Sequence, residues 1–256
     1  MQLRSHQLDS LVAMQQSDKG QIIVPTGGGK TMCMIEDAQY RFDMNSVSKT
    51  IVVVAPRILL ANQLSADFLE HITNADVMHV HSGETHHFSS TKTAVIENWY
   101  HNSINNQLIF TTYHSLHRIT ESLDIEIDTI YFDEAHNSVQ RNFIEAVEYC
   151  SMYAQRSYFF TATPKHSRTP KKIGMNDTFI FGDVICNVPA PKLVDEGHIL
   201  PPKVMVKKID VTDDSRFGYE KDCDHIIDTI DDIDLDKILI CARSTKQIVN
   251  LIGLSK

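Results

Sequence analysis

Cysteine is scarce in this sequence, and none of it is paired by spacing. The five cysteines, at positions 33, 150, 186, 223 and 241, form no C-x-x-C pair. That argues against structural zinc and for a reducing, cytoplasmic compartment. Long apolar runs are also missing: none approaches the roughly 20 residues a membrane-spanning helix needs. Met1 to Gln16 is charged and glutamine-rich, without the apolar core of a secretory leader. Neither membrane insertion nor secretion is expected. Positive charge is not in excess: 24 Lys and Arg stand against 33 Asp and Glu, a net −9. Taken alone this argues weakly against a nucleic-acid partner, since phosphate contacts want cations. The acid is uneven, however. It concentrates between Asp210 and Asp236, whereas Pro164 to Lys172 carries Lys165, Arg168, Lys171 and Lys172 with no acid among them. A local basic groove is compatible with that distribution. No repeat of about 20–50 residues is evident.

What is present centres on Val24-Pro25-Thr26-Gly27-Gly28-Gly29-Lys30-Thr31. An apolar run, Gln21 to Val24, precedes it as a buried strand, and Met32 to Ala38 follows as the first turns of a helix. Strand, glycine-rich turn and helix together make a phosphate-binding loop. Gly27, Gly28 and Gly29 lack a Cβ, so the backbone can curl tightly around a polyphosphate. Amide N–H groups and the helix N-terminus then favour the anion. Lys30 suits the β- and γ-phosphates, and the Thr31 hydroxyl suits Mg²⁺. The general pattern has a glycine where Val24 stands.

At 256 residues the chain holds one large domain or two modest ones. Leu3 to Gln16 reads as an amphipathic helix with Leu3, Leu8, Leu11 and Val12 on its apolar face. Arg4, His6 and Gln7 then fall on a solvated face. Further buried strands are expected at 51–55, 77–80, 108–111, 129–132 and 157–160, with a helix over 57–69. The His-rich stretch His79, His81, His86 and His87 reads as a solvated loop, since Glu84 is the one carboxylate near it in sequence; a metal site is the lesser reading. Residues 173–203, punctuated by prolines, read as a crossover linker around a short helix at 193–197. Strands are expected again at 204–209 and 237–241, then a helix over 244–251. Alternating strands and helices indicate a mostly parallel sheet with helices on both faces. Ligands bind such sheets at the carboxyl ends of the strands, where these motifs fall.

Asp133-Glu134-Ala135-His136 follows the strand at 129–132. An Asp there is placed to bind Mg²⁺ together with Thr31, and Glu134 to polarise an attacking water. With the phosphate loop upstream, the chain resembles superfamily 2 helicases of the DEAH type, related to the motor subunits of type I and type III restriction enzymes. Pro25 to Thr31 looks like motif I, Ala55-Pro56-Arg57 with Leu59 to Gln63 like motif Ia, and Thr111-Thr112-Tyr113 like motif Ib. Asp133 to His136 looks like motif II, Thr161-Ala162-Thr163 like motif III, and Ile238 to Cys241 like the start of motif IV. The family tolerates residues other than glycine at the Val24 position.

The resemblance implies an α/β RecA-like ATP-binding domain over residues 1–200, and over 201–256 a linker with the start of a second RecA-like domain. It implies ATP and Mg²⁺ as ligands, DNA as the partner with RNA the alternative, and a second RecA-like domain in cis or in trans. Arg4 and Gln7 match the adenine-recognition element. Lys30, Asp133, Glu134 and His136 match the hydrolytic site. Arg57 and Thr112 match positions that touch the nucleic-acid backbone, and Thr161 and Thr163 match the element coupling nucleotide to strand. Motifs V and VI have no counterpart before Lys256, so on this reading the sequence is a fragment, a split-gene product or a natural truncation. Two alternatives accompany the helicase reading. One is a nucleotide-gated binding module with little turnover. The other is the motor part of a restriction endonuclease, although no P-D-x-n-D/E-x-K nuclease motif is present.

Overall fold

The computed structural model describes residues 3–44, 47–122, 125–169, 171–201 and 218–231, together with 241, 244–246 and 248–249. The chain divides into two compact units, Met1–Pro201 and Pro202–Lys256.

The first unit opens with helix α1 (Ser5–Gln16), strand β1 (Lys19–Ile23) and helix α2 (Lys30–Asp43). Then come β2 (Thr50–Ala55), α3 (Ile58–Leu69), β3 (Ala75–Val80) and the two-residue β4 (Phe88–Ser89). They are followed by α4 (Thr93–Asn102), β5 (Asn106–Thr112), α5 (His117–Thr120) and β6 (Thr129–Phe132). After a 3₁₀ turn at Ala135–Asn137 the unit continues with α6 (Ile144–Tyr153) and β7 (Arg156–Thr161). It ends with α7 (Thr178–Phe181), β8 (Val184–Asn187) and α8 (Ala190–Asp195). In the second unit, helix α9 spans Gly218–Asp231. Thr245, Lys246, Ile248 and Val249 are helical too. The strand expected at 204–209, and all but Cys241 of the one expected at 237–241, lie outside the described residues.

The eight strands form one sheet in the order β4-β3-β5-β2-β6-β7-β1-β8, and every pairing is parallel. Strand residues alternate between two apolar layers. Ile51 and Val53 of β2 face one core with Met34, Phe68 and Phe160. Val52 and Val54 face the other with Ile109, Phe132 and Phe181. A parallel sheet covered on both faces requires this double burial. The order also brings the ends of β5, β2, β6, β7 and β1 side by side, so five sequence motifs emerge along one edge.

Three expectations need correction. The apolar face expected of α1 is not its buried face: Leu8 and Val12 are each 51% exposed, while His6, Gln7, Ser10 and Met14 are buried. The polar side chains turn inward because partners wait there: the Gly28 and Gly29 carbonyls for His6 and Gln7, and the Cys186 sulfur of β8 for Ser10. Next, His79 lies in β3, within the strand expected at 77–80, and both it and His81 are buried rather than part of a solvated loop. His79 Nδ1 lies 3.0 Å from His81 Nε2, and its Nε2 lies 3.0 Å from Ser65 Oγ. Gly83 N–H donates to His81 Nδ1 at 3.3 Å, so the proton on His81 Nε2 is donated to His79 and that of His79 to Ser65. Burial and the neighbouring imidazoles push the His79 pKa down to about 4. The pair is thus a neutral, fully partnered brace. Finally, residues 173–203 are more than a linker. They supply α7, α8 and β8, the last paired with β1 at Gln21, Ile22 and Ile23.

Candidate functional site

Strand β1 runs into the glycine loop through Val24, whose N–H donates to the Thr161 carbonyl at 3.0 Å. Gly27 and Gly29 both sit at φ +80°, the left-handed region that glycine adopts without a Cβ clash. Gly29 is the N-cap of α2, so the loop ends on free helix amides. Gly28 is required for a steric reason as well: a Cβ there would stand 2.4 Å from Val24 Cγ1 and 3.1 Å from Leu193 Cδ1. The Val24 departure from the general pattern therefore demands glycine at position 28.

The start of α1 holds the loop from outside, one side chain to each glycine carbonyl. Arg4 Nη1 donates to Gly27 at 3.3 Å, and Gln7 Nε2 to Gly29 at 3.2 Å. His6 Nε2 lies 2.7 Å from the Gly28 carbonyl, which only accepts, so this nitrogen carries the ring proton. Gln7 Oε1 also accepts from the Arg4 backbone N–H at 2.9 Å. One amide proton and one lone pair of Gln7 remain available, a donor–acceptor pair suited to the edge of a base. Next to it is a cavity of about 430 Å³ lined by Arg4, Gln7, Thr31, Asp67, Glu70 and His71 among others. Burial first, and the Glu70 charge second, hold the Asp67 carboxyl above the usual range.

On the other side of the loop, Lys30 is buried and donates to the Val24 carbonyl at 3.4 Å. Its ammonium stands 3.6 Å from Glu134 Oε1. Glu134 has φ 46°, and among the described residues it is the one non-glycine with positive φ. That geometry costs roughly 1–2 kcal/mol, and it is held by Asn137. The Asn137 backbone N–H and side-chain Nδ2 both donate to the Glu134 carbonyl, at 3.0 Å and 2.9 Å. Asp133 continues β6, its N–H donating to Val54. Burial first, then the Glu134 charge, push its pKa up to about 6, against the opposing pull of Lys30. The buried Tyr113 hydroxyl donates to the Asp133 carbonyl at 2.9 Å and so ties the end of β5 to the end of β6.

A polar chain leads from Glu134 towards β7. His136 Nδ1 lies 3.4 Å from Glu134 Oε2 and 3.1 Å from Thr161 Oγ1. Asn137 Nδ2 lies 3.3 Å from His136 Nε2. The amide can only donate, so the His136 proton sits on Nδ1. Thr161 Oγ1 in turn accepts from the Thr163 N–H at 3.1 Å. Lys30, Glu134, His136, Thr161 and Thr163 are therefore joined in one line. The strand-contact candidates are placed differently from one another. Arg57 is exposed at the N-cap of α3, whereas Thr112 is only 3% exposed and does not display its side chain. Beyond β7 the basic run does gather into a groove: Arg141, Lys165, His166, Lys171 and Lys172 line a cavity of about 630 Å³.

Sequence reasoning missed the role of Asn137, of His6, which it set on a solvated face, and of Tyr113, which it read only as part of the motif Ib resemblance. Nothing in local spacing marks them, because each acts through a carbonyl distant in sequence or fixed by a turn. No helix among the described residues is long and apolar enough to cross a membrane.

The model of one protein family, described as type III restriction enzyme, res subunit, matches residues 1–166. None of the curated proteins matches the chain. Among solved structures, it is similar to a nuclease-deletion mutant of the type ISP restriction-modification enzyme LlaGI in complex with a DNA substrate mimic. The TM-score is 0.62 and the identity 19%, over 90% of this chain and 23% of that one. The ATP-dependent type ISP enzyme LlaBIII bound to DNA gives a TM-score of 0.64 at 19% identity, over 77% of this chain and 16% of that one. The Pyrococcus furiosus Hef helicase domain gives 0.54 at 15%, over 97% and 52%. The chain thus spans under a quarter of the length of the two restriction enzymes, and at these identities the likeness is one of fold: an α/β, RecA-like domain.

Proposed function

The chain belongs to the family of the type III restriction enzyme res subunit, and on that premise we propose that it is the ATP-binding motor domain of a DEAH-type superfamily 2 helicase or translocase. The observation that carries the reading is the junction of the glycine loop with Asp133 and Glu134, bridged by Lys30 at 3.6 Å from Glu134. A left-handed glycine loop on a helix N-terminus fits a polyphosphate, and the loop keeps that shape only with glycine, since a Cβ at Gly28 would clash with Val24 and one at Gly29 with Gln7. Arg4 and Gln7 face the base, and Lys30 neutralises phosphate charge. Thr31 and Asp133 would hold Mg²⁺, which when bound neutralises charge on the phosphate oxygens. Glu134 orients water for in-line attack on the γ-phosphate and accepts its hydrogen bond. His136, Thr161 and Thr163 relay the state of Glu134 towards the strand-binding face.

DNA is the proposed partner and RNA the alternative. Arg57 and the groove of Lys165, Lys171 and Lys172 supply contacts to phosphates, which position a strand without reading its sequence. Family membership favours the motor of a restriction system over a free-standing helicase. A second RecA-like domain, in cis or in trans, completes the proposed motor.

The test separates binding from chemistry. Lys30→Ala should weaken ATP binding by at least about tenfold, given one lost charge-assisted contact. Glu134→Gln should keep binding and lose hydrolysis. Nucleotide titrations and ATPase rates on both variants, with and without single-stranded DNA, decide it. If Glu134→Gln binds ATP no better than Lys30→Ala, the assignment of roles is wrong.

A further inference from the structure

Against the glycine loop, where His6 meets the Gly28 carbonyl, a second group of ligating side chains comes together. Helix α8 ends in a Schellman turn: the Gly197 N–H donates to the Val194 carbonyl at 2.9 Å, and the His198 N–H to Leu193 at 2.8 Å. Gly197 sits at φ +71°, the left-handed residue this turn needs. The turn is anchored by Leu193, which is completely buried against the space beside Gly28. Lys192 pairs with Asp9 of α1 at 3.7 Å. The result sets Glu196 and His198 beside His6. One ligand atom from each of the three lies within 4.8 Å of the others. His198 Nε2 and Glu196 Oε2 are already 3.5 Å apart.

We infer that His6, Glu196 and His198 form a binding site for a divalent transition metal of the zinc class. The first reason is the state of His6. Its Nε2 proton is committed to the Gly28 carbonyl. Its Nδ1 is therefore a bare lone pair, and it is buried without a hydrogen-bond partner. A metal-ligating imidazole has this same arrangement, one nitrogen on the metal and the other ring N–H on a backbone carbonyl. The buried His79–His81 pair offers a contrast, since every ring nitrogen there has a partner. The second reason is the donor set. Two imidazoles and one carboxylate suit zinc with one position left for water. That set differs from the oxygen donors Thr31 and Asp133 proposed for Mg²⁺. Bonds of roughly 2.0–2.2 Å put tetrahedral ligand atoms about 3.4 Å apart, close to the present His198–Glu196 separation. Glu196 is exposed and His198 half-buried, so their side chains can rotate to close the remaining distance to His6. The bound metal fixes the His6 ring, and through it the Gly28 carbonyl, so the site braces the loop.

The test uses the full chain, free of any affinity tag and of nucleotide, so the nucleotide reading does not enter. Zn²⁺ is titrated by calorimetry, and Co²⁺ is followed by its visible d–d absorption. One ion per chain is expected, without the thiolate charge-transfer band that Cys33 or Cys223 would give. His198→Ala, His198→Gln and Glu196→Ala should each weaken binding by more than about tenfold, a loss that even outer partners of a metal site cause. Melting of the metal-free variants should match the parent, and His86→Ala, which alters an exposed histidine elsewhere, should bind like it. Absence of stoichiometric binding overturns the inference, as does undiminished binding by both His198 variants or a thiolate band.

Discussion

Asp133 and Glu134 are neighbours in sequence with opposite surroundings. Glu134 is turned by its left-handed backbone towards Lys30 and His136. Asp133 stays in line with β6, where burial raises its pKa from 3.8 to about 6. The sign of the linkage follows. Below pH 3.8 both folded and unfolded chains hold the proton, and the carboxyl costs nothing. Between that value and about 6 only the folded chain keeps it, so stability falls as pH rises. Above that window the cost is constant. Asp133→Asn, which removes the charge, should therefore stabilise the nucleotide-free chain at pH 8 by on the order of 1–2 kcal/mol, and by little at pH 4. Urea unfolding at the two pH values measures it. An equal gain at both pH values, or a loss at pH 8, would mean that Asp133 is not held against its charge.

At the scale of elements, the underside of α2 is fastened by a buried polar network. Tyr131 of β6 donates to Asp37 Oδ2 at 2.7 Å, and Arg41 donates to Asp37 Oδ1 at 3.1 Å and to the Tyr158 hydroxyl of β7 at 3.2 Å. Tyr158 is also 2.6 Å from the Met14 carbonyl at the end of α1. Through Asp37, Arg41 and Tyr158, four elements are tied together. Asp37→Ala leaves the Arg41 guanidinium buried and unpaired and should cost about 3–5 kcal/mol in thermal or urea unfolding. Replacing both partners by apolar residues, Asp37→Leu with Arg41→Met, should recover most of that. A loss below about 1 kcal/mol for Asp37→Ala would show that water reaches the guanidinium. These elements also show what the sequence made legible. Thr129–Phe132 and residues 50–54 are unbroken β-branched and aromatic runs, and the strands lie where such runs place them. β8 (Val184–Asn187) escaped because it is an edge strand of four residues, with Val184 and Asn187 exposed and no period to read. Its position comes from pairing with β1, a contact of long range. The inward face of α1 escaped for a related reason: periodicity weighs apolar residues, but this face is chosen by carbonyls to be satisfied. The site divides the same way. Contiguous motifs announce Lys30, Asp133 and Glu134, whereas His6 and Asn137 take their places from the folded backbone.

At the scale of the molecule, the proposed nucleotide site draws on one unit. Arg4, Gln7, Gly27 to Thr31, Asp133, Glu134 and Thr161 all lie within Met1–Pro201. The cation beside Glu134 is Lys30, and a polyphosphate would claim its charge. Further positive charge at the γ-phosphate in the transition state must then come from another group. An arginine finger is worth about 10³–10⁵ in turnover where it acts in phosphoryl transfer, roughly 4–7 kcal/mol of barrier. Under the proposed function that arginine comes from a second RecA-like domain. Two outcomes are expected of residues 1–256. They should bind Mg·ADP, and residues 1–201 alone should bind it equally well, because no ligand of the proposed site lies beyond Pro201. They should hydrolyse ATP slowly, with little stimulation by single-stranded DNA. Fusing or adding a second RecA-like domain from a family member should raise the DNA-stimulated rate by at least about 10²-fold, a conservative share of the arginine contribution. Calorimetric titration of both lengths with Mg·ADP measures the first outcome. ATPase rates at saturating ATP, before and after adding that domain, measure the second. Robust DNA-stimulated hydrolysis by residues 1–256 alone would place the arginine within this chain or on a second copy of it. Loss of ADP binding on shortening to residue 201 would place part of the site in the second unit.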